Sequence, residues 1–350
     1  MLEDKISPKI CLILPYFGEL PKYWSGFIES CAENSDIDFL IISDCQIINP
    51  PNNVRVIKMV WSEFKTFVAQ KFRELGYERV CLTHPYKLCD YKPCFGYIFQ
   101  NYINNYDYWG YVDCDLVFGN LMKFIQLCEI SKYHRIYRYG HLSICRNSPE
   151  VNLLFSEKLS GCIDFKQVAN TTFSCNFDEC GFNLFFEKKG LKFYDVAQEA
   201  DFGEYDYAFR SYNIGHVELG ELFVKDADGS TKVYIQLDTG DVKCVEVNYI
   251  HFLSKKNITI PAKMPKPYCI THKGVFDISN MSIQEALDKY TLCSQEEQQT
   301  FLRNKLFAMR KASVKKILRE LKYNHIYSLW NIINRIPGWI CSLRYIHKSE

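Results

Sequence analysis

The amino-acid sequence predicts an α/β fold with a mixed, mostly parallel sheet flanked by helices and a helical segment at the C-terminus. Three observations lead to this prediction: short apolar runs that end at turn-forming residues, amphipathic stretches between those runs, and a change to a helical, basic texture from about residue 281. Strands that alternate with helices form parallel sheets, and their ligands lie at the carboxyl ends of the strands. The residues that follow each strand are therefore the candidate site residues.

The first half of the chain carries the clearest alternation. The apolar runs 9–14, which stops at Pro15, and 38–42 are predicted strands, as are 54–60 and 108–112. Between the first two, apolar residues recur at the spacing of one helix face: Trp24, Phe27, Ile28 and Cys31. A second stripe of this kind follows the third run: Phe64, Phe67, Val68, Phe72 and Leu75. In the second half, strands are predicted within 135–146, 191–196 and 231–251, and helices within 150–160 and 180–190.

Composition places the chain among ordinary soluble globular proteins, because 47% of its 350 residues are hydrophobic and 24% are charged. The 16 cysteines are scattered singly, which favours small buried side chains in a reducing compartment over a disulfide framework. The first residues do not form a basic stretch followed by a long apolar run, and no apolar stretch approaches eighteen residues. We therefore expect the protein to stay on the cytoplasmic side.

The C-terminal segment differs in charge from the rest of the chain. Residues 301–350 carry eleven Lys or Arg against two Glu, whereas residues 1–300 carry 31 basic against 39 acidic residues. Apolar residues keep one side of the predicted helix: Leu302, Leu306, Met309, Ile317 and Leu321. A basic amphipathic helix followed by Trp-bearing apolar residues suits the anionic inner face of a membrane, and a helical hairpin packed on the body is the alternative. The expected organisation is a domain over 1–280 and a basic helical segment over 281–350, and the acidic body disfavours nucleic acid as a partner.

Asp113 and Asp115 are the strongest candidates for chemistry. They follow the predicted strand 108–112 directly, one residue apart, and apolar chain continues after them. Two carboxylates in this position can reach one divalent cation, and such hard oxygen ligands suit Mg²⁺ or Mn²⁺ with a diphosphate completing the coordination. Two acids in a surface turn would show the same spacing, but the apolar neighbours favour a metal and nucleotide diphosphate site.

The segment 109–120 (WGYVDCDLVFGN) resembles the metal-binding segment of GT-A glycosyltransferases, which have a Rossmann-like fold. It closely resembles that of a poorly characterised bacterial family found among capsule and O-antigen polysaccharide genes. Segments 14–18, 90–96 and 249–252 are also similar to that family, and the resemblance covers about residues 8–260. It implies a metal-dependent enzyme that moves a sugar from a nucleotide sugar, with a UDP-sugar favoured, to a saccharide or lipid-linked glycan acceptor.

The resemblance also implies roles for residues of this chain. His251 would be the third metal ligand beside Asp113 and Asp115, because imidazole is a good ligand for Mn²⁺. Lys92 would meet a phosphate or orient Asp90. The other donor-binding candidates, for the base, the ribose and the diphosphate, are Pro15, Tyr16, Phe17, Asp44, Lys255 and Lys256. Each has a competing structural interpretation: packing for the aromatic residues, a cap for the Asp44 carboxylate, a core position for the histidine and a solvated turn for the lysine pair.

On the acceptor side, Asp178 and Glu179 precede a predicted helix. In an inverting enzyme one of these acids would deprotonate the acceptor hydroxyl, and in a retaining enzyme they would support the oxocarbenium-like state. An N-cap role for Asp178 explains its position equally well.

Two other functions compete with this interpretation. The pattern Asp113-Cys114-Asp115-Leu116-Val117 also satisfies the strand-end motif of haloacid-dehalogenase-like phosphatases, but those enzymes carry it on their first strand, and three predicted strands come before it here. A non-catalytic glycan-binding scaffold at the membrane is the second alternative.

Overall fold

The computed structural model describes residues 7–194, 198–211, 217–253 and 258–322. The chain divides into two compact units, residues 1–293 and 294–350. The predicted fold class is confirmed: a mixed, mostly parallel sheet is flanked by helices, and a helix is present in the C-terminal part of the chain.

Seventeen strands occur in the described part of the chain. In chain order they are β1 (Ile10–Tyr16), β2 (Ile37–Ser43), β3 (Val54–Lys58), β4 (Tyr108–Val112), β5 (Leu116–Phe118), β6 (Arg135–Ile136), β7 (Leu142–Arg146), β8 (Phe193–Tyr194), β9 (Glu199–Asp201), β10 (Phe209–Ser211), β11 (Val217–Gly220), β12 (Leu222–Lys225), β13 (Thr231–Gln236), β14 (Val242–Glu246), β15 (Tyr249–His251), β16 (Tyr268–Thr271) and β17 (Gly274–Asp277).

The α-helices in the same ranges are α1 (Trp24–Glu33), α2 (Trp61–Glu74), α3 (Phe95–Ile98), α4 (Gln100–Ile103), α5 (Leu121–Leu127), α6 (Pro149–Asn152), α7 (Phe165–Asn170), α8 (Phe182–Lys189), α9 (Ile283–Tyr290) and α10 (Gln295–Lys322). Short 3₁₀ helices span Pro85–Cys94, Ile130–Lys132 and Leu154–Ser156, and a π-helical turn spans Phe177–Gly181.

The main sheet has the order β3-β2-β1-β4-β7-β6-β8. Strands β1 to β4 pair in parallel, and β7 pairs antiparallel with both β4 and β6. The predicted β1-α1-β2 unit is present, but the prediction that Pro15 stops β1 is wrong, since the strand runs to Tyr16. Because β4 pairs with β1 only as far as Ile13, Pro15 lies where β1 has one neighbour, and there its missing N–H is tolerated.

Two five-stranded sheets follow, with the orders β11-β10-β9-β15-β5 and β14-β13-β12-β16-β17. Strands were expected within 231–251, and β13, β14 and β15 lie there. The remaining strands of these sheets, β5 among them, were not predicted, because they have only three or four residues each. Strands that short show no readable alternation in the sequence.

Helix α9 belongs to the first unit, because Ala286 and Leu287 are buried in a cluster with Leu222, Val224 and Cys269. The second unit contains α10. Helices were predicted from residue 281 onward, and α9 and α10 lie on either side of the division at residue 293. The Trp-bearing segment that follows α10 lies outside the described residues. Within the ranges that the structure describes, no helix is both long and apolar enough to cross a membrane.

A fully buried ion pair fixes the segment that leads to Asp178. The ammonium group of Lys87 lies 2.7 Å from Asp90 Oδ2, and neither side chain is exposed. Asp90 also accepts hydrogen bonds from the amides of Cys175 and Phe177, at 2.8 to 3.0 Å. The 3₁₀ helix Pro85–Cys94 is thereby tied to the chain just before the π-helical turn.

We predict that Asp90→Asn lowers the free energy of unfolding by about 3–5 kcal/mol, because it leaves the buried Lys87 ammonium without its counter-ion. Urea denaturation measures this loss. The matched control is Glu74→Gln in the half-exposed pair Lys71–Glu74, where the expected change is below about 1 kcal/mol. Equal losses in the two variants would contradict the assigned role of the buried pair.

Candidate active site

The pairing of three strands brings two of the predicted metal ligands, Asp115 and His251, together. Asp115 precedes β5, and β5 pairs antiparallel with β15 so that Leu116 lies opposite His251. On its other side, β15 pairs in parallel with β9, where His251 lies opposite Asp201. The amide of Phe252 donates to the Asp115 carbonyl at 2.9 Å, which closes the chain around the end of β4. Residues far apart in sequence therefore meet at one point.

A row of three side chains, Asp115, His251 and Asp201, results from this pairing. His251 Nδ1 lies 2.7 Å from Asp201 Oδ1, and His251 Nε2 lies 3.7 Å from Asp115 Oδ2. Burial acts to lower the pKa of His251, but the hydrogen bond to Asp201 and the charges of both carboxylates outweigh it and raise that pKa. Burial raises the pKa of Asp115, and the nearby histidine opposes the shift.

Asp115 also carries a buried oxygen, Oδ1, that has no hydrogen-bond partner in the described part of the chain. Leaving a carboxylate oxygen buried and unpaired is costly, so this atom indicates a cation site. Oxygen and imidazole ligands together suit Mn²⁺, and oxygen ligands suit Mg²⁺. Among the described residues, however, no group of three or more His, Cys, Asp or Glu side chains is placed so that it could hold a metal ion. The carboxylate oxygens and the imidazole nitrogen are the atom types that these metals bind. That Asp113, Asp115 and His251 form one ligand set stays a prediction.

His141 covers the face of the His251 ring. The two ring centroids are 4.1 Å apart with an angle of 25° between the planes, and His141 Nε2 lies 2.9 Å from the Tyr249 hydroxyl. Burial, followed by the charge of His251, holds the pKa of His141 well below its usual value, so this imidazole is neutral at physiological pH. A neutral ring stacked on His251 restricts its rotation without adding charge.

Lys92 lies between the two groups of acids. Its ammonium nitrogen is 2.7 Å from both carboxylate oxygens of Asp113, 2.7 Å from the Gly140 carbonyl and 4.0 Å from Asp178. Burial acts to lower the pKa of Lys92, but the charges of Asp113 and Asp178 and the hydrogen bond to Asp113 together outweigh it and hold that pKa well above its usual value. Lys92 does not orient Asp90, since Lys87 pairs with Asp90 instead. Because the Lys92 ammonium already binds the Asp113 carboxylate and the Gly140 carbonyl, its main role is that of counter-ion of Asp113 and not of a phosphate ligand.

The acceptor-side acids lie against Gly140. Glu179 Oε1 accepts from the Gly140 amide at 3.1 Å, and a Cβ at Gly140 would lie 2.4 Å from Asp178 Oδ2. Asp178 lies inside the π-helical turn, whose cap position is Asn176, so the alternative N-cap role is wrong. Burial raises the pKa of Asp178 to about 7, although Lys92 opposes the shift. Single π-helical turns are frequent at functional sites.

The predicted donor-binding residues divide into two groups. Tyr16, the last residue of β1, and Asp44, which follows β2, are half-buried. The Tyr16 hydroxyl donates to the Glu19 carbonyl at 2.6 Å, and Asp44 Oδ1 accepts from the Gly18 amide at 3.0 Å. Burial, with nearby charges that include Asp115, raises the pKa of Tyr16 to about 12. Tyr16 therefore lies close enough to Asp115 for the charge of that carboxylate to act on its hydroxyl.

Phe17 is a correction to the predicted set. Its ring packs in the core against Trp61 and Phe64, with centroid distances of 5.1 and 4.9 Å, and only 8% of the residue is exposed. We therefore remove Phe17 from the donor-binding candidates. Pro15 is half-buried near the end of β1 and stays a candidate, whereas Lys255 and Lys256 lie outside the described residues.

Asp201 is the residue that the sequence did not reveal. It ends a three-residue strand and belongs to no motif, so nothing in the local pattern marks it. Only the pairing of β9 with β15 places it beside His251.

Residues 12–279 match a family of unknown function, DUF6625, and the chain belongs to that family. No curated protein matches the chain significantly in sequence. Among solved structures, the galactosyltransferase LgtC in complex with donor and acceptor sugar analogues is similar over 55% of this chain and 75% of its own, at 9% identity and a TM-score of 0.33. An active-site mutant of LgtC is similar over 69% and 86%, at 9% identity and a TM-score of 0.32. With TM-scores this low, the likeness does not establish the activity of this chain.

We predict that Asp178 makes stability depend on pH in a defined direction. Its pKa of about 7 in the folded protein lies above the ordinary value of 3.8, so between about pH 4 and pH 7 the unfolded chain loses the proton first. The wild type should therefore lose stability relative to Asp178→Asn as the pH rises through this window, and the difference should be constant below and above it. Thermal unfolding of both proteins at several pH values measures this. A difference that does not change with pH would contradict the shifted pKa.

Proposed function

We propose that the protein is a metal-dependent glycosyltransferase with a GT-A fold that moves a sugar from a nucleotide sugar, with a UDP-sugar favoured, to a hydroxyl of a saccharide or lipid-linked glycan. One observation carries the proposal: Asp115, which follows β4, has Oδ2 3.7 Å from His251 Nε2, and its buried Oδ1 has no hydrogen-bond partner among the described residues. The parallel strands β1 and β2 end at Tyr16 and Ser43, where an α/β sheet binds its ligands.

In this proposal Asp113, Asp115 and His251 hold Mn²⁺ or Mg²⁺. The metal, when bound, supplies positive charge that stabilises the departing diphosphate. Lys92 holds the Asp113 carboxylate in place through its contacts of 2.7 Å. Lys255 and Lys256 follow His251 closely in sequence and would neutralise diphosphate oxygens.

Tyr16 and Asp44 are the proposed contacts of the nucleoside. They lie at the carboxyl ends of the neighbouring parallel strands β1 and β2, and the Asp44 carboxylate uses one oxygen for the Gly18 amide. A carboxylate in this position can accept a hydrogen bond from a ribose hydroxyl or from the uracil N–H. Pro15 completes this end of the proposed cleft.

Asp178 is the favoured proton acceptor. With a pKa of about 7 its carboxylate is partly ionised at neutral pH, which matches a general base that takes a proton from the acceptor hydroxyl. Glu179 holds the loop at Gly140 through a hydrogen bond of 3.1 Å. If the reaction retains the anomeric configuration, Asp178 would instead support the positive charge that develops on the sugar.

The competing phosphatase function requires Asp113 to attack phosphorus. Both oxygens of Asp113 lie 2.7 Å from the Lys92 ammonium, and β4 is the fourth strand of the chain. Neither observation favours a nucleophile there. The nucleotide-binding experiment below distinguishes the non-catalytic alternative from the proposed function.

We predict that UDP with Mn²⁺ raises the melting temperature more than UDP alone, and more than GDP or CMP with Mn²⁺. Asp115→Asn should remove the metal-dependent part of the shift, because it removes the charge that would hold the cation. A thermal-shift panel of UDP, GDP and CMP and of their sugar conjugates, each with and without Mn²⁺, measures this.

The control for that panel is Asp36→Asn, an exposed acid between α1 and β2 that should leave the shift unchanged. A full metal-dependent shift in Asp115→Asn would exclude the proposed ligand. No stabilisation of the wild type by any nucleotide with Mn²⁺ would favour the non-catalytic scaffold, and release of inorganic phosphate from sugar phosphates, abolished in both Asp113→Asn and Asp115→Asn, would favour the phosphatase.

We also propose that the basic helix α10 and the residues after it bind the anionic inner face of the cell membrane, where lipid-linked acceptors for surface polysaccharides are assembled. Each Lys or Arg near such a surface contributes on the order of 1 kcal/mol of attraction. The support is the charge of residues 301–350, eleven basic against two acidic residues.

We predict that the protein sediments with vesicles containing phosphatidylglycerol and not with neutral vesicles, and that 0.5 M salt reduces the binding. Binding should weaken at least tenfold when four basic residues of α10 are replaced by Gln: Arg303, Lys305, Arg310 and Lys311. The control replaces four exposed basic residues of the first unit: Lys58, Lys65, Arg73 and Lys158. Equal losses from both sets would assign the attraction to overall charge and contradict a docking role for α10.

A further inference from the structure

We infer that Asp201 is the positioning residue for His251: its carboxylate accepts a hydrogen bond from Nδ1–H and thereby directs the lone pair of Nε2 towards Asp115. This inference rests on the proposed function, because it assigns the orientation of a proposed metal ligand. Its geometric basis is the hydrogen bond of 2.7 Å between His251 Nδ1 and Asp201 Oδ1.

The backbone fixes both partners of this hydrogen bond. His251 and Asp201 lie opposite each other in the parallel pair β9 and β15, and the next amide, of Phe202, donates to the His251 carbonyl at 2.8 Å. Asp201 is only 4% exposed, so little water reaches its carboxylate to compete for the proton of the ring. The position of the carboxylate is therefore set by the sheet and not by a mobile loop.

The chemistry of imidazole makes this contact decisive. A neutral imidazole has one N–H and one lone pair, and the group that accepts from the N–H selects which nitrogen carries the lone pair. In the neutral form of His251, Asp201 keeps the single proton on Nδ1. The lone pair is then on Nε2, on the side of Asp115, where it can bind a metal. Carboxylates that orient metal-binding histidines in this way tune both ring direction and basicity.

A second contact restricts the other rotation of the ring. His141 stacks on the face of His251 at 4.1 Å and is itself held by the Tyr249 hydroxyl at 2.9 Å. The hydrogen bond to Asp201 restricts rotation of the His251 ring within its own plane, and stacking against His141 restricts tilting of that plane. Together they hold Nε2 beside Asp115 before any ligand arrives.

The experiment measures Mn²⁺ affinity in the presence of UDP by electron paramagnetic resonance, on full-length protein whose folding is checked by circular dichroism. Asp201→Asn should weaken Mn²⁺ binding by about 10- to 100-fold, because the Asn amide can donate to Nδ1 and select the opposite tautomer. Asp201→Glu, which keeps the acceptor, should recover part of the affinity.

The matched control is Glu199→Gln. Glu199 lies on the same strand, is fully buried and accepts from the Ser211 hydroxyl at 3.1 Å, so the change replaces a buried carboxyl group by an amide two residues away. Its Mn²⁺ affinity should equal that of the wild type. If Glu199→Gln weakens Mn²⁺ binding as much as Asp201→Asn, or if Asp201→Asn binds Mn²⁺ normally, the assignment of Asp201 is overturned while the proposed function stands.

A measurement on the wild type keeps the inference testable if the variants do not fold. Long-range ¹H–¹⁵N spectra of the metal-free protein, at a pH where the imidazole is neutral, should show His251 with its proton on Nδ1, with the signal identified by its absence in His251→Gln. A proton on Nε2 would overturn the inference. Absence of any Mn²⁺ binding to the wild type in the presence of UDP would overturn the inference together with the metal-dependent function.

Discussion

The pairing of β15 between β5 and β9 is the constraint on which the candidate site depends. These strands have only three residues each, yet their register sets Leu116 and Asp201 on either side of His251. A shift of one residue in either pairing would turn the side chain of His251 to the opposite face, because successive side chains of a strand alternate. Much of the second half of the fold can be understood as the structure that holds β9 and β15 in that register.

Charge balance is the second constraint. The acids at the end of β4 and in the π-helical turn would repel one another if they were ionised without compensation. Lys92 lies between Asp113 and Asp178, and His251 lies between Asp115 and Asp201, so each of these four acids has a cationic or hydrogen-bonding neighbour. Opposite charges this close favour the ionised forms, whereas burial favours the neutral ones. The raised pKa of Asp178 shows where burial prevails.

The sequence predicted the parallel strands of the main sheet well and the short strands of the two five-stranded sheets poorly. Strands β1 to β4 lie within two residues of the predicted runs, and α1 and α2 coincide with the predicted apolar stripes. Such elements carry enough consecutive apolar residues to show a period. The three- and four-residue strands of the smaller sheets carry no such signal, and their pairing over long sequence distances is not encoded in any local pattern.

The same distinction applies to the site. The sequence alone determined that Asp113 and Asp115 follow a buried strand, since strand and acids are adjacent in the chain, and the family resemblance directed attention to His251. Only the tertiary structure decided that Phe17 packs in the core, that Lys92 holds Asp113 while Lys87 holds Asp90, and that Asp201 meets His251. The physical reason is that hydrogen bonds and ion pairs depend on the distances between side chains, and those distances are set by strand pairing and burial across parts of the chain far apart in sequence.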